Sequence, residues 1–212
     1  MREVSPPRSR SVRALRLRAV LASGLVLGVG AAVTLASWTD NEFATGAFQT
    51  SVFNTQSSVN GGAYTDNSVS PGATFTVAGP FAPGVSSYLP VLIQTTANSV
   101  AGTTVLNGAV LGGSDAATLG AALVYRVVRT TATCNAAAFT GSPAFVVGAA
   151  GTTRALTAGQ ETGVTNPLAA ATSSSPGAAT GFCFEVTLPA GAANSLQGKT
   201  ATATWQFVST SS

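Results

Sequence analysis

The amino-acid sequence predicts an all-β sandwich preceded by an N-terminal leader. Three observations support this fold class. Short segments after residue 37 alternate between apolar and polar residues, clusters of Gly, Pro, Asn and Ser separate these segments, and sustained helical periodicity is missing. Alternation with a period of two is typical of strands that bury one face, and turn signals at short intervals favour a sandwich.

The first element, residues 1–37, has the composition of a secretory signal peptide. Six of the ten Lys and Arg residues precede residue 19, and an apolar stretch, residues 19–35, follows them. Small residues then stand at Ala36 and Ser37, so we expect signal peptidase to cleave near this pair during export. The apolar stretch is nearly long enough to span a bilayer, which leaves an uncleaved membrane anchor as the alternative.

Strands are predicted wherever apolar side chains recur at every second position. The clearest such segment, residues 200–207, places four side chains on one face: Ala201, Ala203, Trp205 and Phe207. Residues 122–130 and 182–188 alternate equally well, and in the second of these Cys183 and Glu185 are expected to point outward. Weaker strands are predicted at 46–54, 73–79, 88–95, 104–111 and 144–148.

The 175 residues that follow the leader are sufficient for one domain with a hydrophobic core. Within it, Pro90 favours an edge position or a bulge for its strand, because proline cannot donate a backbone hydrogen bond. One short helix is predicted after Ser114, where Ser or Asp precedes an Ala-rich turn. Residues 149–181 contain few large side chains, and they form either a long excursion from the sandwich or a partly disordered segment.

The distribution of charge argues against nucleic-acid binding. The basic excess of the chain belongs to the leader, because residues 38–212 contain four basic and six acidic side chains. The basic residues are Arg126, Arg129, Arg154 and Lys199, and the acidic ones are Asp40, Glu42, Asp66, Asp115, Glu161 and Glu185. So few charges give little repulsion between molecules, which favours self-association.

The two cysteines, Cys134 and Cys183, both follow the leader. An even number of cysteines in an exported chain predicts one disulfide between them. Redox catalysis is the alternative, but the sequence contains no C-x-x-C pair that would support it.

The chain contains no histidine, which removes the commonest general base and the commonest zinc ligand. A His-containing zinc site, a Ser-His-Asp triad and a Cys-His dyad are therefore impossible. We expect no catalytic residues, no metal site and no cofactor, and we do not expect an enzyme. Calcium could be bound by loop oxygens of Asp66-Asn67 or Ser114-Asp115, but both pairs are interpreted as turn formers. The aromatic residues of the last two clear strands could stack on a sugar, but they are interpreted as core.

Two stretches of the sequence resemble a known family. Residues 36–54, ASWTDNEFATGAFQTSVFN, resemble the entry to exported proteins of the TasA/camelysin family, which carry a SipW-dependent-type signal peptide. The matching positions are Trp38, Asp40, Phe43, Gly46, Phe48 and Phe53. The closing stretch, residues 181–211, is similar to actinobacterial members through FCFEVTLP and LQGKTATATWQF.

The resemblance implies a jelly-roll type of sandwich that assembles into fibres at the cell surface or in a biofilm matrix. It implies that residues 38–56 form a linking or donor strand, which completes the sheet of the next copy, and that residues 57–212 form the sandwich. The anchoring side chains would be Trp38, Phe43, Phe48, Val52 and Phe53. Main-chain hydrogen bonds would supply affinity in such strand addition, and side-chain pockets would set the register.

The partner implied is therefore another copy of the chain, and the membrane is contacted only through the leader before cleavage. Part of the family carries a metallopeptidase label, which does not transfer to a chain without histidine. The alternative function is a monomeric cell-surface binding or adhesion module without catalytic activity.

Overall fold

A computed structural model describes residues 12–33, 41–46, 50–73 and 81–212 of the chain. The chain divides into two compact units, Met1–Phe48 and Gln49–Ser212. The first contains helix α1 (Val12–Val33). No helix within the described ranges combines the length and the apolar character needed to cross a membrane. The boundary predicted after residue 37 lies in the first unit, and the boundary predicted after residue 56 lies within the first strand.

The second unit consists of antiparallel strands and a few short helical turns. Its strands are β1 (Thr55–Val59), β2 (Ser86–Thr95), β3 (Gly102–Leu106), β4 (Val110–Gly112), β5 (Val124–Arg129), β6 (Ala144–Val147), β7 (Arg154–Ala155), β8 (Asn166–Leu168), β9 (Thr180–Thr187), β10 (Thr202–Thr204) and β11 (Phe207–Ser211). The short helices are a π-helical turn (Ala116–Gly120) and two 3₁₀ helices (Ala136–Phe139 and Asn194–Leu196).

These strands form two layers. One layer has the strand order β1-β2-β9-β5-β6, with β7 also paired to β5. The other layer contains a three-stranded sheet, β11-β3-β8, and a two-stranded sheet, β10-β4. The predicted all-β class is confirmed, and the jelly-roll arrangement of the strands stays a prediction.

The core lies between the two layers and uses the faces predicted from alternation. Phe182 and Phe184 of β9 and Tyr125 and Val127 of β5 are at most 1% exposed, and they belong to one cluster with Leu106 of β3. Burying side chains of this size contributes roughly 1.5–3 kcal/mol each, so these central strands supply much of the stability.

The prediction for the other face of β9 is wrong. Cys183 and Glu185 were expected to face outward, but both are buried. The 3₁₀ helix Ala136–Phe139 covers this face, and Phe139 packs there with Val128 and Cys183 in a second apolar cluster. Alternation shows which side chains share a face, but it does not show what covers that face.

Residues 200–207, predicted as one strand, are divided between β10 and β11. The chain leaves β10 at Trp205 and Gln206 and then pairs with β3 instead of β4. The predicted face is retained, since Ala203, Trp205 and Phe207 pack against the core.

The edge position predicted for the strand that contains Pro90 is also wrong, because β2 lies between β1 and β9. Pro90 lies opposite Asn60, one residue beyond the end of β1, and Asn60 N donates to Pro90 O at 3.1 Å. The missing N–H of the proline therefore interrupts no strand pairing on that side.

The weaker strand predictions have mixed outcomes. Residues 104–111 form most of β3 together with part of β4, and residues 144–148 form β6. Residues 74–79 of the predicted strand 73–79, and residues 47–49 of the predicted strand 46–54, lie outside the described residues. Residues 50–54 are described and form no strand beyond an isolated bridge at Val52, so that part of the prediction is wrong. The predicted excursion, 149–181, contains β7 and β8 and buries Leu156 and Leu168 in the core.

Candidate functional site

The most unusual feature of the second unit is an open sheet edge at β11. Asn107 N donates to Gln206 O at 2.9 Å and Ser212 N donates to Ala101 O at 3.1 Å, which fixes the phase of the β3–β11 ladder. The backbone groups of Phe207, Ser209 and Ser211 therefore point away from β3. Among the described residues, no hydrogen bond reaches these outward backbone groups.

A groove with a volume of about 710 Å³ lies beside this edge, between β11 and β1. Its apolar lining includes Phe53, Val59, Val91, Ile93, Trp205 and Phe207. Among the described residues that line it, Asp66 is the single ionisable one, and the polar remainder is mostly Ser, Thr, Asn and Gln. A groove with a single carboxylate, beside backbone donors and acceptors that no other described residue binds, is suited to an extended, largely apolar peptide segment.

Three other sheet edges in the described part of the chain, at β1, β6 and β8, are partly covered. Ser57 of β1 exchanges two backbone hydrogen bonds of 3.0 Å with Thr65, and the side chain of Asn67 donates to Ser57 Oγ at 2.8 Å. At β6, Glu161 N donates to Val146 O at 2.8 Å. The short edge strand β8 has Pro167 at its centre, which lacks an N–H.

The floor of the groove is continuous with the aromatic core. The ring centroids of Phe207 and Phe182 are 4.8 Å apart, and those of Trp205 and Phe184 are 5.2 Å apart. Tyr125 donates its hydroxyl proton to Ala158 O, and burial raises the pKa of Tyr125 to about 12 although a hydrogen bond with Trp205 lowers it. The interpretation of these rings as core is consistent with this packing, and Trp205 and Phe207 also line the groove.

The predicted anchoring residues fall into three groups. Phe43 is 93% exposed in the first unit. Val52 and Phe53 belong to the second unit, where Val52 forms an isolated parallel bridge with Ser99 and Phe53 lines the groove. Trp38 and Phe48, like the predicted cleavage residues Ala36 and Ser37, lie outside the described residues.

Gly102 allows the close packing of Phe53 at one end of the groove. A Cβ at this position would lie 2.6 Å from Phe53 Cε2. Phe53 is therefore held by its own chain at the point where β3 pairs with the end of β11.

The predicted disulfide joins Cys134 to Cys183, whose Cα atoms are 5.2 Å apart. It lies on the covered face of β9, which is the face turned away from the groove. On the same face Arg126 Nε donates to Glu185 Oε2, and Tyr88 Oη donates to Glu185 Oε1 at 3.0 Å. The guanidinium of Arg126 lies 4.8 Å from the centroid of the Phe139 ring, so the 3₁₀ helix that contains Phe139 covers the Arg126–Glu185 ion pair.

The two loops considered for calcium have their carboxylates occupied within the chain. Asp66 Oδ1 accepts from Ser68 N at 3.0 Å, as in a turn. Asp115 accepts from Thr200 N at 3.1 Å and from Lys199 Nζ at 3.0 Å, and these hydrogen bonds lower the pKa of Asp115. Over the residues described, no group of three or more His, Cys, Asp or Glu side chains could hold a metal ion.

No protein-family model, no curated protein and no solved structure matches the chain. The function is therefore inferred from the open edge and the groove themselves.

Proposed function

We propose that this chain is a secreted structural protein that self-associates by strand addition into fibres at the cell surface or in a biofilm matrix. The observation that supports the proposal is the open edge of β11 beside an apolar groove. A strand from a second copy would bond to the outward backbone groups of Phe207, Ser209 and Ser211. Its alternate side chains would then enter the groove.

The donor in this proposal is the segment 38–50 of the second copy, because Val52 and Phe53 are already held by their own chain. Phe43 in this segment is 93% exposed, and burying a side chain of this kind stabilises a complex by roughly 1.5–3 kcal/mol. The segment is rich in aromatic and β-branched residues, which are enriched in strands.

The leader and the disulfide belong to the same proposal. Cleavage near Ala36 and Ser37 would release the donor segment after export. A disulfide between Cys134 and Cys183 is consistent with an extracellular protein, since disulfides persist in oxidising compartments. The proposed function requires neither catalysis nor a cofactor.

Strand addition can be tested with Ser209→Pro in the mature chain that starts at Trp38. The outward N–H of Ser209 is lost in this variant, and proline is tolerated where an edge N–H faces solvent. Its matched control, Ser209→Ala, loses the hydroxyl bond to Thr104 (3.0 Å) but keeps the N–H. We expect filaments from the wild type and from Ser209→Ala, and mainly monomers from Ser209→Pro, by electron microscopy and sedimentation velocity.

A deletion variant and a synthetic peptide identify the donor segment. A chain that lacks residues 38–50 should stay monomeric, and it should still accept a synthetic peptide covering residues 38–54. Monomers of the wild type over a wide range of concentration and pH would contradict the proposed function. Filaments from the deletion variant would show that another segment is the donor.

The groove also supports the alternative function, a monomeric binding module. Its volume of about 710 Å³ is within the range of sites for small molecules. In that case deletion of residues 38–50 would leave ligand binding intact, and the wild type would form no filaments.

A further inference from the structure

Phe53 is fixed in the groove by its own chain. Val100 N donates to Val52 O at 3.0 Å, and Thr96 N donates to Asn54 O at 3.0 Å. These two hydrogen bonds hold the backbone on both sides of Phe53, and its side chain packs against the core. The ring is therefore part of the groove and is not available to another copy.

Phe53 lies at the end of the groove where β11 ends. Ser211, the last residue of β11, is opposite Gly102 on β3, and Phe53 packs on Gly102 with no room for a Cβ between them. The part of β11 that lines the groove extends from Phe207 to Ser209, two residues short of the end of the strand. The Phe53 ring thus fills the space between the two layers at the Ser211 end.

The opposite end of the groove presents an apolar surface. Trp205 and Phe207 line it on one side. Val59 and Val91, which are paired across β1 and β2, line it on the other. A large apolar side chain can be buried at this end, whereas the end that Phe53 fills has space for small side chains only.

The proposed donor segment has a matching distribution of side-chain size. In a strand, alternate residues share a face. Each face of residues 43–48 combines one Phe with two smaller residues: Phe43, Thr45 and Ala47 on one face, and Ala44, Gly46 and Phe48 on the other. Whichever face enters the groove, it carries a large side chain at one end and a small one at the other.

We infer that Phe53 sets the register of the donor strand, because it leaves one end of the groove with space for small side chains only. A donor that slipped by two residues toward Ser211 would press its own Phe against the Phe53 ring, and this clash excludes the slipped register. The inference rests on the proposed function. It assigns Phe53 to the acceptor, whereas the family resemblance implied a role in the donor.

The inference is tested by transferring side-chain volume from the acceptor to the donor. The acceptor is the mature chain without residues 38–50, which retains every core residue of the second unit. Phe53→Ala empties the filled end of the groove, and Phe53→Val empties it in part. Val59→Ala is the matched control, because it removes apolar volume at the far end of β1. The ligands are a fluorescent peptide of residues 38–50 and its variants Ala44→Phe and Ala47→Phe, which carry a second Phe on one face or the other.

Fluorescence anisotropy measures the affinity of each acceptor for each peptide. The acceptor with Phe53 should bind the unaltered peptide, and it should bind one of the two peptide variants about ten-fold more weakly, because that second Phe meets the Phe53 ring. Phe53→Ala should restore the affinity for the same peptide variant, and Phe53→Val should restore it in part. Val59→Ala should restore nothing.

Binding of the unaltered peptide shows that the groove of an acceptor variant is intact, and Phe53→Val decides if Phe53→Ala fails this check. Equal affinity of the Phe53 acceptor for all three peptides would overturn the inference and leave the proposed function standing. A weakened peptide variant that neither Phe53 substitution restores would do the same. If the Phe53 acceptor bound none of the peptides, the proposed function itself would be contradicted.

Discussion

Glu185 lies on a central strand with its side chain only 9% exposed, where an unpaired carboxylate would be strongly unfavourable. Arg126 is its cross-strand neighbour on β5, and Tyr88 on β2 donates to its second oxygen. Three adjacent strands thus contribute one residue each to a single polar cluster. Both carboxylate oxygens have partners, which removes much of the penalty of burying the charge.

Removal of one member of this pair should be more harmful than removal of both. Arg126→Met leaves Glu185 buried without its cation, and we expect a loss of about 3–5 kcal/mol in the free energy of unfolding. The double variant Arg126→Met/Glu185→Leu has no unpaired charge and should lose clearly less. Urea denaturation of the wild type, both single variants and the double variant measures the coupling. Additive effects of the two substitutions would show that the pair is not coupled.

At the scale of elements, the 3₁₀ helix Ala136–Phe139 is the part of the fold that the sequence alone predicted least well. Its N-cap, Asn135, accepts from Ala137 N at 2.9 Å through its side chain. Asn135 before three alanines and Phe139 is a capping signal, and it could have indicated the helix. The packing of this helix on β9 could not be predicted from the alternation of apolar residues, because it depends on a contact between Phe139 and Cys183, which are far apart in the sequence.

The same limit explains the division of residues 200–207 between two sheets. The alternation of side chains is a local property, so the buried face of this segment was predictable. The partner strands are not local, since Ser209 and Thr104 are 105 residues apart in the chain. The open edge of β11 follows from that pairing, and the groove could therefore not be predicted from the sequence.

The disulfide fixes the covering helix to the sheet across a separation of 49 residues. Closing a loop of this length in the unfolded chain is worth about 4 kcal/mol on the loop-entropy model. We expect Cys134→Ala/Cys183→Ala to lose a free energy of unfolding of this order in denaturant titrations. Reduced wild-type protein is the matched control and should have the same stability as the variant. A loss below about 1 kcal/mol would mean that the packing of Phe139 is sufficient to hold the 3₁₀ helix on β9.

At the scale of the whole molecule, charge is scarce and almost fully paired. The second unit has four basic and four acidic side chains. Among the residues described, six of these form three ion pairs: Arg126–Glu185, Arg154–Glu161 and Lys199–Asp115. The surface therefore has little net charge to keep molecules apart, as the composition predicted.

Two of these ion pairs should make the protein sensitive to acid. Hydrogen bonds from Thr200 N and Lys199 lower the pKa of Asp115, and those from Arg154 and Gly148 N lower the pKa of Glu161. A carboxyl whose pKa is lower in the folded state stabilises the fold above its unfolded pKa. That contribution is lost as the pH falls through the folded value.

We therefore expect the free energy of unfolding to decrease below about pH 4.5. Asp115→Asn/Glu161→Gln should be less stable than the wild type at neutral pH and should depend less on pH in the acidic range. Urea titrations at a series of pH values measure how the free energy of unfolding of each protein depends on pH. If the free energy of unfolding fell equally steeply with decreasing pH in both proteins, other groups would be responsible for the acid sensitivity.

The open edge that β11 presents among the described residues has a consequence for growth. A subunit with one donor segment and one acceptor edge joins its neighbours head to tail, so the proposed polymer is polar and its two ends differ chemically. One end presents an unused N-terminal segment, and the other presents a vacant groove beside Phe207, Ser209 and Ser211. A peptide that copies the donor would terminate the second end alone, and elongation would then proceed in one direction.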